Sequence, residues 1–132
     1  MDPRIIIETL GMEPHPEGGW FRSTWRGPTD GDARPTGSAI YYLLTEGNGS
    51  QRHRIDATEL WHFYAGAAVE LVITDDEGVE RHHLLGPDVT GGQRPQVVVP
   101  PGAWQRARTS GEYTLLGCTV SPAFEWSTFE LG

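Results

Sequence analysis

Five histidines and eighteen carboxylates are spread along the 132 residues of the chain, and few stand at spacings that chemistry can use. The best placed are His53 and Glu59, six residues apart, with Gly66 seven residues further on. An imidazole titrates near neutrality and a carboxylate can be tuned toward it, so the two suit proton transfer at physiological pH. His15 and Glu17 stand in Pro14-His15-Pro16-Glu17-Gly18-Gly19, a turn-rich loop of the kind that rims binding sites, although Gly18-Gly19 serve equally to turn the chain. His82 and His83 are neighbours on one strand, so they face opposite ways, cannot share an ion and read as surface residues. Cys118 lies among Leu115, Leu116 and Val120 and reads as an inert core thiol. As the single cysteine it has no partner for a disulfide, which favours a reducing compartment. No G-x-S-x-G, H-E-x-x-H, G-x-G-x-x-G or paired-cysteine motif is present.

The elements that must position these groups are mostly strands. Glycine (17) and proline (10) make up about a fifth of the chain, which favours short strands joined by turns over a helical bundle. One short helix is expected at the start, capped by Asp2, begun by Pro3 and stopped at Gly11. Strands are expected at 20–25, 38–45, 59–65, 68–74, 79–85, 96–99, 103–109, 112–121 and 124–131, with loops at 27–37 and 86–95. Asp75-Asp76-Glu77-Gly78 reads as a hairpin turn, Gly47-Asn48-Gly49-Ser50 as a tight connection and Pro100-Pro101-Gly102 as a corner. Nine or ten short strands at this spacing predict an all-β sandwich or barrel occupying residues 1–132 as one domain.

Charge narrows the partners. The net charge is −8, and all ten basic residues are arginine. An acidic surface repels phosphate backbones and anionic lipid heads, so neither nucleic acid nor a membrane is the expected partner. The absence of lysine removes Schiff-base chemistry and a P-loop. The opening Met1-Asp2-Pro3-Arg4 does not read as a signal peptide, no apolar run approaches the ~20 residues of a span, and the expected location is cytoplasmic.

Gly47, His53, Glu59 and Gly66 fall in register with the first motif of the cupin superfamily, G-x5-H-x-H-x3,4-E-x6-G. Pro100-Pro101-Gly102-Ala103-Trp104-Gln105 fits the middle of its second motif, G-x5-P-x-G-x2-H-x3-N, whose outer positions here are Arg94 and Thr109. The chain is most similar to a branch of small single-barrel cupins known as a domain of unknown function. That branch carries His-Pro-Glu-Gly-Gly (His15 to Gly19), Tyr-Tyr-Leu-Leu (Tyr41 to Leu44), Glu-Leu-Trp-His-Phe-Tyr-x-Gly (Glu59 to Gly66), Val-Pro-x-Gly-x-Trp-Gln (Val99 to Gln105) and a closing Phe124-Glu125, in order across nearly the whole chain. The resemblance implies a cupin jelly-roll barrel of antiparallel strands with one short N-terminal helix. Cupin metal sites take two histidines and a glutamate from the first motif and a histidine from the second; here Ile55 and Gln105 stand at two of those positions.

In a cupin the glutamate face of the strand points inward, and strand alternation then places Glu59, Trp61 and Phe63 together inside. His62 and Tyr64 face out. Glu59 in such an apolar cup should titrate high, with His53 as its proton partner, and these two are the expected catalytic pair. Trp61 and Phe63, with Gln105 across the barrel, are the expected ligand-binding walls, and His15 and Glu17 the rim. Three functions follow: an isomerase, epimerase or lyase acting by proton transfer on a small polar metabolite such as a sugar or keto acid; a ligand-binding cupin without catalysis; or a divalent-metal cupin with the reduced ligand set His53, Glu59 and Gln105. A fourth reading makes His53 and Glu59 only a mutually satisfying pair at the barrel mouth. Small cupins of this kind are typically dimers, and the apolar outer faces of strands 38–45 and 59–65 agree with that. Light scattering should find a species of twice 14.6 kDa, and a solution of 14.6 kDa particles alone would rule the homodimer out.

Overall fold

A computed structural model describes residues Met1–Gly132. The chain runs through helix α1 (Pro3–Leu10) and strands β1 (Glu13–Pro14), β2 (Trp20–Arg26), β3 (Ser38–Thr45), β4 (Ser50–Arg54), β5 (Thr58–Gly66), β6 (Val69–Thr74), β7 (Glu80–Leu85), β8 (Gln96–Val99), β9 (Trp104–Thr109), β10 (Tyr113–Ser121) and β11 (Glu130–Leu131). They form two antiparallel sheets, one in the order β1-β2-β3-β10-β5-β8 and the other β11-β4-β9-β6-β7. The helix begins and ends as its sequence dictates. The Asp2 carboxylate accepts from the Arg4 amide at 2.9 Å, Pro3 sits in the first turn, and Gly11 closes the helix at φ 64°. No helix is long and apolar enough to cross a membrane.

Alternating side chains from the two sheets meet in a core that includes Tyr42, Leu44, Trp61, Leu71, Leu85 and Leu116. Cross-strand register then decides which polar groups share that interior. Glu59 stands opposite Val120 and Val99, and Trp61 opposite Cys118, in the first sheet. His53 stands opposite Gln105 in the second. On the outer face of β3, β5 and β8, Tyr41, Tyr64 and Val98 are exposed, with the two tyrosine rings 6.4 Å apart.

Besides the short β1 at Glu13–Pro14, where Pro14 was expected to open the turn-rich loop, two segments differ from the sequence expectation. Residues 50–54 were expected to contain only the end of a connection, yet they form β4 and carry His53 inward. Ser-Gln-Arg-His-Arg has no apolar alternation to betray it, because its inward positions are themselves polar and its pairing with β9 is irregular between Ser50 and His53. Residues 124–131 were expected as one strand. They form instead a single 3-10 turn at Trp126–Thr128 and the two-residue β11. The aromatic residues that mimic a strand there pack on one another: Phe124 and Trp126 meet edge to face at 4.7 Å, and Trp126 and Phe129 at 5.7 Å.

The loop between β1 and β2 is clamped to the turn before β4. Gly19 N–H donates to the Asn48 side chain at 3.1 Å, Gln51 N–H donates to the Glu17 carbonyl at 2.6 Å, and the Tyr42 hydroxyl donates to the Gly18 carbonyl at 2.5 Å. Gly18 has φ 105°, and a Cβ there would lie 2.0 Å from the Gly49 carbonyl oxygen. Gly47 is also left-handed, at φ 78°, but open space surrounds it. Gly47→Ala should therefore cost about 1 kcal/mol of unfolding free energy, whereas Gly18→Ala should cost about 3 kcal/mol or more. Equal losses in denaturant titration would show that the loop is not clamped in this way.

Candidate functional site

A cavity of about 260 Å³ opens between the sheets and is lined by His15, Glu17, Arg26, His53, Glu59 and Cys118, with Phe21, Phe124 and Trp126 among its walls. Its volume is below the roughly 300–1,000 Å³ of drug-sized sites, so it suits a small metabolite. At about 30 Å³ per liquid water it has room for about nine water molecules.

The clamped loop delivers Glu17 into this cavity with 6% of its surface exposed. Its Oε2 lies 2.9 Å from His53 Nε2, and both side chains are buried. His53 Nδ1 lies 2.8 Å from the Gln51 carbonyl, which can only accept, so Nδ1 carries a proton. Burial opposes charge on both partners. For Glu17, the hydrogen bond and positive charge of His53 outweigh burial and hold the carboxyl below its usual value. For His53, the hydrogen bond and charge of Glu17, helped by Glu59, outweigh burial and raise the imidazole. The result is an imidazolium–carboxylate pair. His15 differs: burial lowers it, and its Nδ1 accepts the Glu17 amide at 3.1 Å, which leaves the proton of the neutral ring on Nε2.

Glu59 approaches the same cavity from the opposite sheet. Burial, then the negative charge of Glu17, pushes its carboxyl up to about 7, against the opposing charge of His53 and a hydrogen bond from Gln105. Gln105 Nε2 donates to Glu59 Oε1 at 2.7 Å, and Trp61 Nε1–H donates to Gln105 Oε1 at 2.8 Å. An indole N–H only donates, so Trp61 fixes which end of the Gln105 amide faces Glu59. Two carboxylates thus share one cavity with their protonation driven apart, Glu17 ionised and Glu59 titrating near neutrality. Burial also raises the Cys118 thiol, with Glu59 and Glu17 adding to it, which keeps it protonated beside Glu59.

The sequence-predicted residues are therefore only partly brought together. His53, Glu59, His15 and Glu17 all line the cavity, and Glu17 contacts His53 directly rather than standing at the rim. Trp61, Phe63 and Gln105, expected as ligand-binding walls, do not line it. The inward turn of Trp61 is as expected, but the ring is fully buried in the core with Phe63 packed against that core, because the two sheets close over them before the cavity opens. The walls come instead from Phe21 on β2 and from Phe124 and Trp126 after β10. The Phe124-Glu125 pair was visible as a motif, but nothing local to it announces a cavity wall.

The expected divalent-metal set of His53, Glu59 and Gln105 does not fit a metal. His53 Nε2 is taken by Glu17, the Gln105 oxygen is taken by Trp61, and the amide face presented to Glu59 is an N–H, which cannot ligate. Ile55 stands where a further imidazole would be needed, and no group of three or more His, Cys, Asp or Glu is placed to hold an ion. The charge relations are open to titration. Glu17→Gln should move the His53 titration downward in NMR, because burial then acts on the imidazole without its main counterweight. An unmoved or raised titration would mean that Glu17 does not hold the imidazolium.

Comparison with known proteins places this geometry. The family described as "Cupin superfamily (DUF985)" matches residues 4–132. Protein SO0799 from Shewanella oneidensis is 36% identical, with TM-score 0.95 over 100% of this chain and 85% of that one. A hypothetical protein from Leishmania major is 30% identical, with TM-score 0.89 over 98% of this chain and 86% of its own. Oxalate decarboxylase from Bacillus subtilis shares the fold at 12% identity and TM-score 0.69, over 89% of this chain and 29% of that one. A search of curated proteins found no match. The two-sheet jelly roll, the inward Glu59 and the full-length family match lead to one conclusion: the chain belongs to the cupin superfamily, in its DUF985 family.

Proposed function

We propose that this cupin is an enzyme that moves a proton on a small polar metabolite, as an isomerase, epimerase or lyase. The observation that carries the reading is the split between the two buried carboxylates, with Glu59 pushed up to about 7 beside the Glu17–His53 ion pair. A general base works best when it titrates near the operating pH. In this reading the ionised carboxylate of Glu59 removes a proton from a carbon beside a carbonyl, and the C–H electron pair passes into the enolate. The positive charge of His53 stabilises that enolate. Protonated Glu59 then delivers the proton to the opposite face of the same carbon once the enolate has turned over, to the neighbouring carbon, or to a leaving group. Glu17 is the positioning residue that keeps His53 charged and oriented.

A second reading, a binding cavity without turnover, draws on one observation. Both ring nitrogens of His53 already have partners, which suits a fixed ion pair as well as a working one.

One variant separates the two. Small keto acids and keto sugars incubated in heavy water with the protein should exchange a carbon-bound proton, read by NMR, and Glu59→Gln should slow that exchange by at least 10²-fold. Binding without exchange in the unmodified protein would favour the second reading. The same variant carries a stability signature whose sign is fixed. A carboxyl raised from 4.5 to about 7 contributes stability that is fully present below pH 4.5 and is lost as pH rises through about 7. Glu59→Gln should therefore be more stable than the parent at about pH 8, by on the order of 2–3 kcal/mol, and lose that advantage below about pH 5. An advantage independent of pH would contradict the raised titration.

A further inference from the structure

At the mouth of the cavity stands Arg26, the only Arg among its lining residues. Its Nη1 donates to the Phe124 carbonyl at 2.8 Å, which aims the guanidinium whatever else it binds. Its Nη2 donates to Glu125 Oε1 at 3.0 Å. The two side chains are 46% and 34% exposed, so this ion pair is of the kind that contributes about 1 kcal/mol or less. Glu125 precedes the 3-10 turn at Trp126 and makes no side-chain capping bond to it, which leaves its carboxylate free to turn outward.

We infer that Arg26 anchors the carboxylate of the substrate, in the place that Glu125 fills in the free protein. This rests on the proton-transfer reading of the same cavity and names its substrate class: a short-chain acid that carries a carbonyl. The guanidinium already holds a carboxylate, so the exchange of one for another keeps donors and charge matched. A planar fork fits a planar carboxylate, and the negative charges of Glu17 and Glu125 disfavour a dianionic phosphate. Phe21, Phe124 and Trp126 flank the mouth with apolar surface for the carbon chain, and Glu59 waits deeper for the proton.

Calorimetric titration tests the anchor with pyruvate, 2-oxobutyrate and acetoacetate, their neutral amides, and inorganic phosphate. The unmodified protein should bind at least one acid tenfold or more tighter than its amide. Arg26→Gln should abolish that preference and weaken the acid at least tenfold with the amide unchanged. Arg26→Lys, which keeps the charge and loses the fork, should fall between them. Glu125→Gln should tighten the acid several-fold by removing its competitor. Thermal midpoints of the variants check that the half-exposed positions do not unfold the chain. Equal binding of acid and amide, undiminished acid binding by Arg26→Gln, no acid bound at millimolar concentration, or phosphate bound tighter than every acid would each overturn the anchor. Acids that bind through Arg26 without carbon-bound exchange would uphold the anchor and defeat the proton-transfer reading. Exchange on the keto acids that Arg26→Gln leaves undiminished would uphold that reading and defeat the anchor.

Discussion

Apolar burial draws two sheets together but is indifferent to how they slide. In this protein the sliding is arrested by a short polar chain through the interior: Trp61 donates to Gln105, and Gln105 donates to Glu59. Trp61 and Glu59 lie on β5 of one sheet and Gln105 on β9 of the other, so the two hydrogen bonds cross the sandwich. Trp61 Nε1 and Gln105 Oε1 satisfy each other in the core, Gln105 Nε2 is satisfied by Glu59 Oε1, and no buried side-chain nitrogen or oxygen lacks a partner. Removing Trp61 or Gln105 leaves a donor or acceptor unpaired in the packed core at a cost of about 1–3 kcal/mol, which favours one register.

That arrangement also sets the chemistry above it. Gln105 is oriented by Trp61 from below, so it presents N–H groups upward to Glu59 and keeps its oxygen out of the cavity. A donor under a buried carboxylate favours ionisation; burial and the nearby charge of Glu17 disfavour it. The balance lands near neutrality, where proton transfer is most useful. Glu17 reaches the opposite balance in the same space because it has an imidazolium at 2.9 Å and Glu59 does not. One cavity therefore holds two identical side chains with different charge, decided by what each faces.

The outer end of the cavity is built on different terms. Its aromatic residues come from β2 and from the segment after β10, and they meet edge to face rather than through strand pairing. Trp126 lies 5.5 Å from the His15 ring and 6.5 Å from Phe21, so the closing segment is packed against the opening loop. The ends of the chain thus supply the walls, and the central strands supply the floor.

Much of this was legible in the residues. The helix and its caps and most strands follow from local rules, because capping, turn chemistry and strand alternation act over a few residues, while the place of His53 and the inward turn of Glu59 were implied by the resemblance to the cupin motif. The desolvated Glu59 could be expected for the same reason. Other features lay beyond that range. β4 has no apolar alternation, so only its pairing with β9 makes it a strand. Trp61, Phe63 and Gln105 point inward as alternation requires, but whether an inward residue meets a cavity or the opposite sheet depends on where the sheets touch. Glu17 becomes the partner of His53 because a loop 36 residues earlier folds onto the turn before β4. Sequence determines which way a side chain leaves its own strand. What it finds there is settled by contacts between segments far apart in the chain, and that is where ion pairs, cavities and shifted titrations arise.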